Sequence, residues 1–152
     1  MIFLSLGLYS STMKPELFSI LVIDDDEDDR SLFCQAVKDL GSMYECRSAN
    51  ACRSGIAEIV NNPQQAQLIF LDQQLSDIDG LECLRILKSH SNTSQIPVVM
   101  ISGVNNEKVC REAQRLGVLH YYVKPHSFRE LSDFVGSVVK ELNQQATNKE
   151  SG

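Results

Sequence analysis

Four apolar runs in this sequence end on polar groups that can do chemistry. Ile20-Leu21-Val22-Ile23 runs into Asp24-Asp25-Asp26, and Leu68-Ile69-Phe70-Leu71 into Asp72. Pro97-Val98-Val99-Met100-Ile101 ends in Ser102, and Tyr121-Tyr122-Val123 ends in Lys124-Pro125. Each run is short and bounded, and reads as a buried parallel strand. Strands laid side by side in one direction bring these four termini to a single sheet edge. Three carboxylates, a hydroxyl and an ammonium gathered there are parts for holding a divalent cation and a phosphoryl group.

The segments between the runs must position that edge. Strand-like and helix-like periods alternate throughout, the pattern of βαβ units and a mostly parallel sheet. Strands are predicted over 19–24, 44–49, 68–72, 98–102 and 119–123. The second is the least apolar and is expected at a sheet edge. Helices are predicted over 27–40, 52–60 and 106–116, with others after Asp79 and Pro125. Gly41 and Gly117 stand as C-terminal stops, and Asn50, Asp79 and Ser127 as caps. The last helix carries the stripe Phe128, Leu131, Phe134, Val135, Val138, Val139 and Leu142, an amphipathic pattern. Ligands of open α/β sheets bind outside the carboxyl ends of the strands, which is where the polar termini lie.

Bulk properties agree with a single domain. A chain of 152 residues with 43% apolar and 22% charged residues is ordinary globular material. Its net charge of -6 argues against a nucleic-acid footprint. The five cysteines show no CxxC and no pairing pattern, so they are expected as reduced thiols in a reducing compartment, not as a zinc site. Residues 1–17 are expected as a leader or arm. The apolar start, Met1 to Tyr9, is too short to span a bilayer and lacks a basic n-region, and Met13 offers an alternative start. Residues 144–152 are expected as a frayed polar tail.

The ordered set Ile20-Leu21-Val22-Ile23-Asp24-Asp25, Leu71-Asp72, Asp79-Gly80, Ile101-Ser102-Gly103 and Tyr121-Tyr122-Val123-Lys124-Pro125 resembles the receiver domain of two-component response regulators, over residues 18–143. The resemblance implies a doubly wound, flavodoxin-like (βα)5 sandwich with strand order 2-1-3-4-5. It implies that Asp72 accepts a phosphoryl group from a sensor histidine kinase or a histidine phosphotransfer protein. By the same resemblance, Mg²⁺ is held by Asp24, Asp25, Asp72 and the backbone carbonyl of Gln74. Lys124 pairs with phosphoryl oxygens, Ser102 hydrogen-bonds one of them, and Tyr121 with Ser102 forms the switch. The face of helix four, strand five and helix five is the family's usual surface for a downstream protein, in a monomer or a phosphorylation-dependent dimer. A cytoplasmic location follows, with no nucleic acid and no membrane. No DNA-binding region follows helix five, so output is expected through a protein contact.

Plainer readings stand beside these. Asp24 to Asp29 also fits a solvated loop and an acidic first helical turn, which the helix dipole favours. Lys124-Pro125 is common wherever a chain runs extended. Asp26 leaves a one-residue ambiguity in the acid pair, settled toward Asp24 and Asp25 because they directly follow the apolar run. His90, His120 and His126 have no base-like partner in sequence. Ser76 replaces a proline common in the family, so the loop after Asp72 is expected to be less stiff. Rival functions are a phosphorelay shuttle, a pseudo-receiver that only binds, and a small Mg²⁺-dependent aspartyl phosphatase. The phosphatase wants a second acid two residues after its nucleophile, where Gln74 stands.

Overall fold

Strand runs and helical stripes alternate as their periods predict, and all five strands join one sheet. The computed structural model describes residues 16–62 and 64–151, without the side chains of residues 150 and 151. The apolar start and Met13 lie outside the described residues. The order is β1 (Phe18–Ile23), α1 (Glu27–Asp39), β2 (Tyr44–Ala49), α2 (Cys52–Asn61) and β3 (Leu68–Asp72). There follow α3 (Gly80–Ser89), β4 (Val98–Ser102), α4 (Glu107–Arg115), β5 (His120–Val123) and α5 (Phe128–Ser151). The sheet is parallel throughout, in the order β2-β1-β3-β4-β5.

Helices cover both faces, so the inner strands are apolar on both sides and read as continuous runs. Alternation along the strand sorts their side chains. Leu21, Ile23, Ile69, Leu71 and Met100 face one core with Leu84 and Leu87 of α3. Ile20, Val22, Phe70 and Val99 face the other with Phe33 of α1 and Val135 of α5. Phe70, 1% exposed, packs its ring 5.1 Å from that of Phe33. Tyr122 stacks on Phe134 at 3.6 Å. β2 takes one edge, as its half-buried composition requires, and β5 takes the other, where it is half-buried and not the buried strand its apolar run suggests.

The structure corrects several expectations. First, the cysteines are not all thiols. Cys34 bonds to Cys46 (S–S 2.15 Å) and Cys52 to Cys83 (2.11 Å), leaving Cys110 free. The partners lie 12 and 31 residues apart and meet only because α1 packs on β2 and α2 lies beside α3. No local spacing encodes that meeting. Second, residues 144–151, exposed through residue 149, are helical and continue α5. Third, His120 does have an acidic neighbour, with Nε2 2.7 Å from Glu141 Oε2 of α5. Among the described residues, no helix is long and apolar enough to cross a membrane.

The cap of α2 also differs from expectation. Ala51 occupies the N-cap and has no side-chain oxygen to offer, while the Asn50 side chain accepts from the Ser54 hydroxyl. The capping group comes from the loop after β3. Asp77 Oδ1 accepts from the Cys52 N–H and Oδ2 from the Arg53 N–H, both at 3.1 Å. A carboxylate there also meets the positive end of the helix dipole. Slight burial works against its charge, but these N–H donors hold the Asp77 carboxyl below the usual range. Its contribution to stability is therefore present above the ordinary carboxylate pKa and fades as pH falls. Asp77→Ala is expected to cost about 1 kcal/mol in urea unfolding at neutral pH, with a smaller deficit near pH 3. An equal deficit at both pH values would show that the carboxylate is not the source.

Candidate functional site

The order reverses at β1, whose neighbours are β2 and β3, so a crevice opens beyond the carboxyl ends of β1 and β3. Asp24 directly follows β1 and Asp72 ends β3. They are 2% and 4% exposed, far below the norm for carboxylates. Asp25 stands beside them, exposed, and one oxygen from each of the three lies within 4.8 Å of the others.

Lys124, one residue past β5, reaches over from the far side. Its Nζ lies 3.3 Å from Asp24 Oδ2, 3.3 Å from Asp72 Oδ2 and 2.6 Å from Asp29 Oδ2. The backbone sets that reach, because the Lys124 N–H donates to the Ser102 carbonyl at 2.7 Å and continues the β4–β5 ladder. Asp26 caps α1 by accepting from the N–H groups of Asp28 and Asp29. Arg30 Nη1 latches the same turn to the Asp24 carbonyl at 2.8 Å.

Burial pushes the Asp24 carboxyl up to about 7, against the Asp26 N–H that stabilises its charge; Asp72 adds to the rise and Lys124 opposes it. Burial also disfavours the Lys124 ammonium, but its bond to Asp29 and the Asp72, Asp24 and Asp29 charges outweigh this and hold it above its usual range. One ammonium is thus set against four acids. The excess negative charge and the oxygen-only donor set fit a hard divalent cation such as Mg²⁺.

A carboxyl raised by the fold stabilises it below the unfolded pKa and ceases to as pH rises through the folded value. Metal-free protein is therefore expected to melt at a lower temperature near pH 8 than near pH 5. Mg²⁺ should restore more at the higher pH, where protons no longer compete for the oxygens. A thermal shift with Mg²⁺ that is independent of pH would contradict this assignment.

Ser102, 2% exposed, ends β4. Its hydroxyl donates to the Val104 carbonyl at 2.8 Å and accepts from the Val104 N–H at 3.3 Å. Tyr121 donates its hydroxyl to the same carbonyl at 3.2 Å. The two residues read as a switch are thus joined through one peptide oxygen. Gln74 is exposed, and its N–H donates to Asp72 Oδ1 at 3.2 Å. The loop that lacks a proline at Ser76 is held instead by Asp77 on α2, by Asp79 capping α3 and by the Gly80 N–H on the Gln73 carbonyl at 2.8 Å.

Asp24, Asp25, Asp72 and Lys124 therefore converge as the sequence reading expects, with Ser102 at the end of the adjoining strand. Two further residues, Asp29 and Asp77, were not singled out. Asp29 sat in an acidic helical turn already accounted for by the dipole. Asp77 had no signal beyond its place in a loop.

This fold and edge of acids are those of a receiver domain, and comparison with known proteins agrees. The family model for the response regulator receiver domain matches residues 20–135, and the chain belongs to that family. The phosphate regulon transcriptional regulatory protein PhoB of Pseudomonas aeruginosa is 33% identical over 113 residues, covering 74% of this chain and 48% of that protein. The chain spans about half or less of the length of the first curated relatives it matches. The phosphorylated cyanobacterial phytochrome response regulator RcpA superposes with a TM-score of 0.74 at 25% identity, over 80% of this chain and 91% of that one. The Mn²⁺-bound response regulator Rcp1 superposes with a TM-score of 0.70 at 26% identity, over 79% and 90%.

Proposed function

We propose that Asp72 is the phosphoacceptor of this receiver, taking a phosphoryl group from a phosphohistidine on a sensor kinase or a histidine phosphotransfer protein. The observation that carries this reading is the convergence of Lys124 Nζ with the Asp24 and Asp72 carboxylates at the edge of the sheet. An Asp72 oxygen attacks phosphorus, the phosphorus–nitrogen bond breaks, and the imidazole leaves with the bond pair. Asp72 becomes a mixed carboxylic–phosphoric anhydride.

Asp24, Asp25, Asp72 and the Gln74 carbonyl would hold Mg²⁺, which when bound neutralises charge on the phosphoryl oxygens. Lys124 supplies a further positive charge at the same oxygens. The related Rcp1 was solved with Mn²⁺ bound, which supports a divalent cation here. Catalysis is confined to the protein's own phosphorylation and dephosphorylation.

The signal passes through Ser102. A phosphoryl oxygen that accepts its hydroxyl draws it from Val104, and the Tyr121 hydroxyl loses the fixed position of their common acceptor. The surface of α4, β5 and α5 then changes for a protein partner or a second copy, a local charge event biasing a two-state element. We place this activity in the cytoplasm because the phosphodonor kinases of the family act there. That placement does not rest on the cysteines, four of which are paired.

Incubation with Mg²⁺ and acetyl phosphate tests the reading by intact mass. One added phosphoryl group per chain is expected, and none when the metal is chelated before the phosphodonor is added. No adduct under any donor would favour a pseudo-receiver, and continuous hydrolysis of phosphate esters would favour a phosphatase. Transfer from the adduct onward to a histidine would mark a shuttle.

A further inference from the structure

We infer that Asp29 is a positioning residue that restrains Lys124 before phosphorylation and so sets how readily Asp72 takes a phosphoryl group. The inference rests on the proposed role of Asp72. Its basis is the unequal sharing of one ammonium. Lys124 Nζ lies 2.6 Å from Asp29 Oδ2 but 3.3 Å from each of Asp24 and Asp72. Three N–H donors thus face three carboxylates, and the shortest bond goes to the one acid of the three that lies outside the Asp24, Asp25 and Asp72 cluster.

Asp29 is held for this task. Its own N–H is bound by the Asp26 cap at 3.2 Å, and it lies in the first turn of α1, which Arg30 fastens to the Asp24 carbonyl. The pair is only partly exposed, with side chains 26% and 31% accessible for Lys124 and Asp29. A cavity of about 110 Å³ opens on the pair, walled by Leu32, Phe33 and Phe128 and by the polar residues His126 and Ser127. The Asp29 carboxylate therefore has space to turn aside.

A phosphoryl group on Asp72 brings new oxygens and additional negative charge. Lys124 has no fourth proton, so it must loosen one existing bond to engage them. Loss of the Asp29 bond is the exchange that leaves the ammonium on both Asp24 and Asp72, the two acids at the site of transfer. Asp29 thereby stabilises the unphosphorylated state relative to the phosphorylated one.

The test compares Asp29→Asn, Asp29→Glu and Asp28→Asn. Asp28→Asn removes the same charge from the same helical turn without touching Lys124. The probe is beryllofluoride with Mg²⁺, a mimic of the carboxyl phosphate, followed in amide NMR spectra; the rate with acetyl phosphate is followed by intact mass. Asp29→Asn is expected to bind beryllofluoride about fivefold tighter and to phosphorylate correspondingly faster, the size of change set by one partly exposed ion pair. Asp29→Glu should return toward wild type, and Asp28→Asn should remain within about twofold of it. Equal behaviour of Asp29→Asn and Asp28→Asn would overturn the inference alone, as would weaker binding in Asp29→Asn. A wild-type protein that binds no beryllofluoride would overturn the proposed function and this inference with it.

Discussion

Asp72→Asn is expected to give no phosphoryl adduct at any acetyl phosphate concentration, in the presence of Mg²⁺ that supports full modification of the wild type. The amide replaces a nucleophilic carboxylate oxygen with a group that cannot form a stable phosphoric anhydride, so the loss is complete and not graded. The structure adds a second readout. Asp72 is one of three acids around Lys124, and its charge helps to push the Asp24 carboxyl up to about 7. Neutralising it relieves that repulsion while Lys124 keeps Asp24 and Asp29. The melting temperature near pH 8 is therefore expected to be no lower than that of the wild type. Loss of the adduct together with a large fall in melting temperature would make Asp72 a structural residue first.

Gly80→Ala is expected to be the most damaging single-methyl change near the site. A Cβ at this position would lie 2.5 Å from the Asp72 carbonyl oxygen and 2.6 Å from Gln73 Cα. Both obstacles are backbone, and the Gly80 N–H is bound to the Gln73 carbonyl at 2.8 Å, so no rotamer change relieves the clash. The start of α3 must move off the end of β3. Overpacking of this kind costs about 3 kcal/mol, which lowers the melting temperature of a chain this size by roughly 10 °C. Because the displaced atoms belong to Asp72 and its neighbour, acetyl phosphate labelling should slow as well. Gly55→Ala is the control, since the nearest atoms to its Cβ belong to the Ile23 side chain, at 2.5 Å from Cδ1, and not to backbone. Equal melting temperatures for the two variants would refute the backbone clash at Gly80.

Much of this protein was legible in one dimension. The inner strands are buried, apolar on both faces and end abruptly, so Asp24, Asp72 and Ser102 are the first polar groups after their runs; Lys124 likewise ends an apolar run, although β5 is a half-buried edge strand and not a buried one. Helix stops at Gly41 and Gly117 were equally plain, because both adopt the positive φ that glycine tolerates, 133° and 90°. These features are properties of a residue and its near neighbours.

What sequence could not decide was every contact made between segments. The Cys34–Cys46 and Cys52–Cys83 bridges join elements that the sheet order brings together. Asp77 caps a helix 24 residues upstream, a service invisible to a search for local caps. Asp29 looked like one acid of a solvated turn until β5 placed Lys124 against it, 95 residues away in the chain. The strand runs therefore determined where the acids and the lysine emerge. Only the packed structure decided which acid holds the ammonium, because pairing depends on distances of a few ångströms between separately encoded elements.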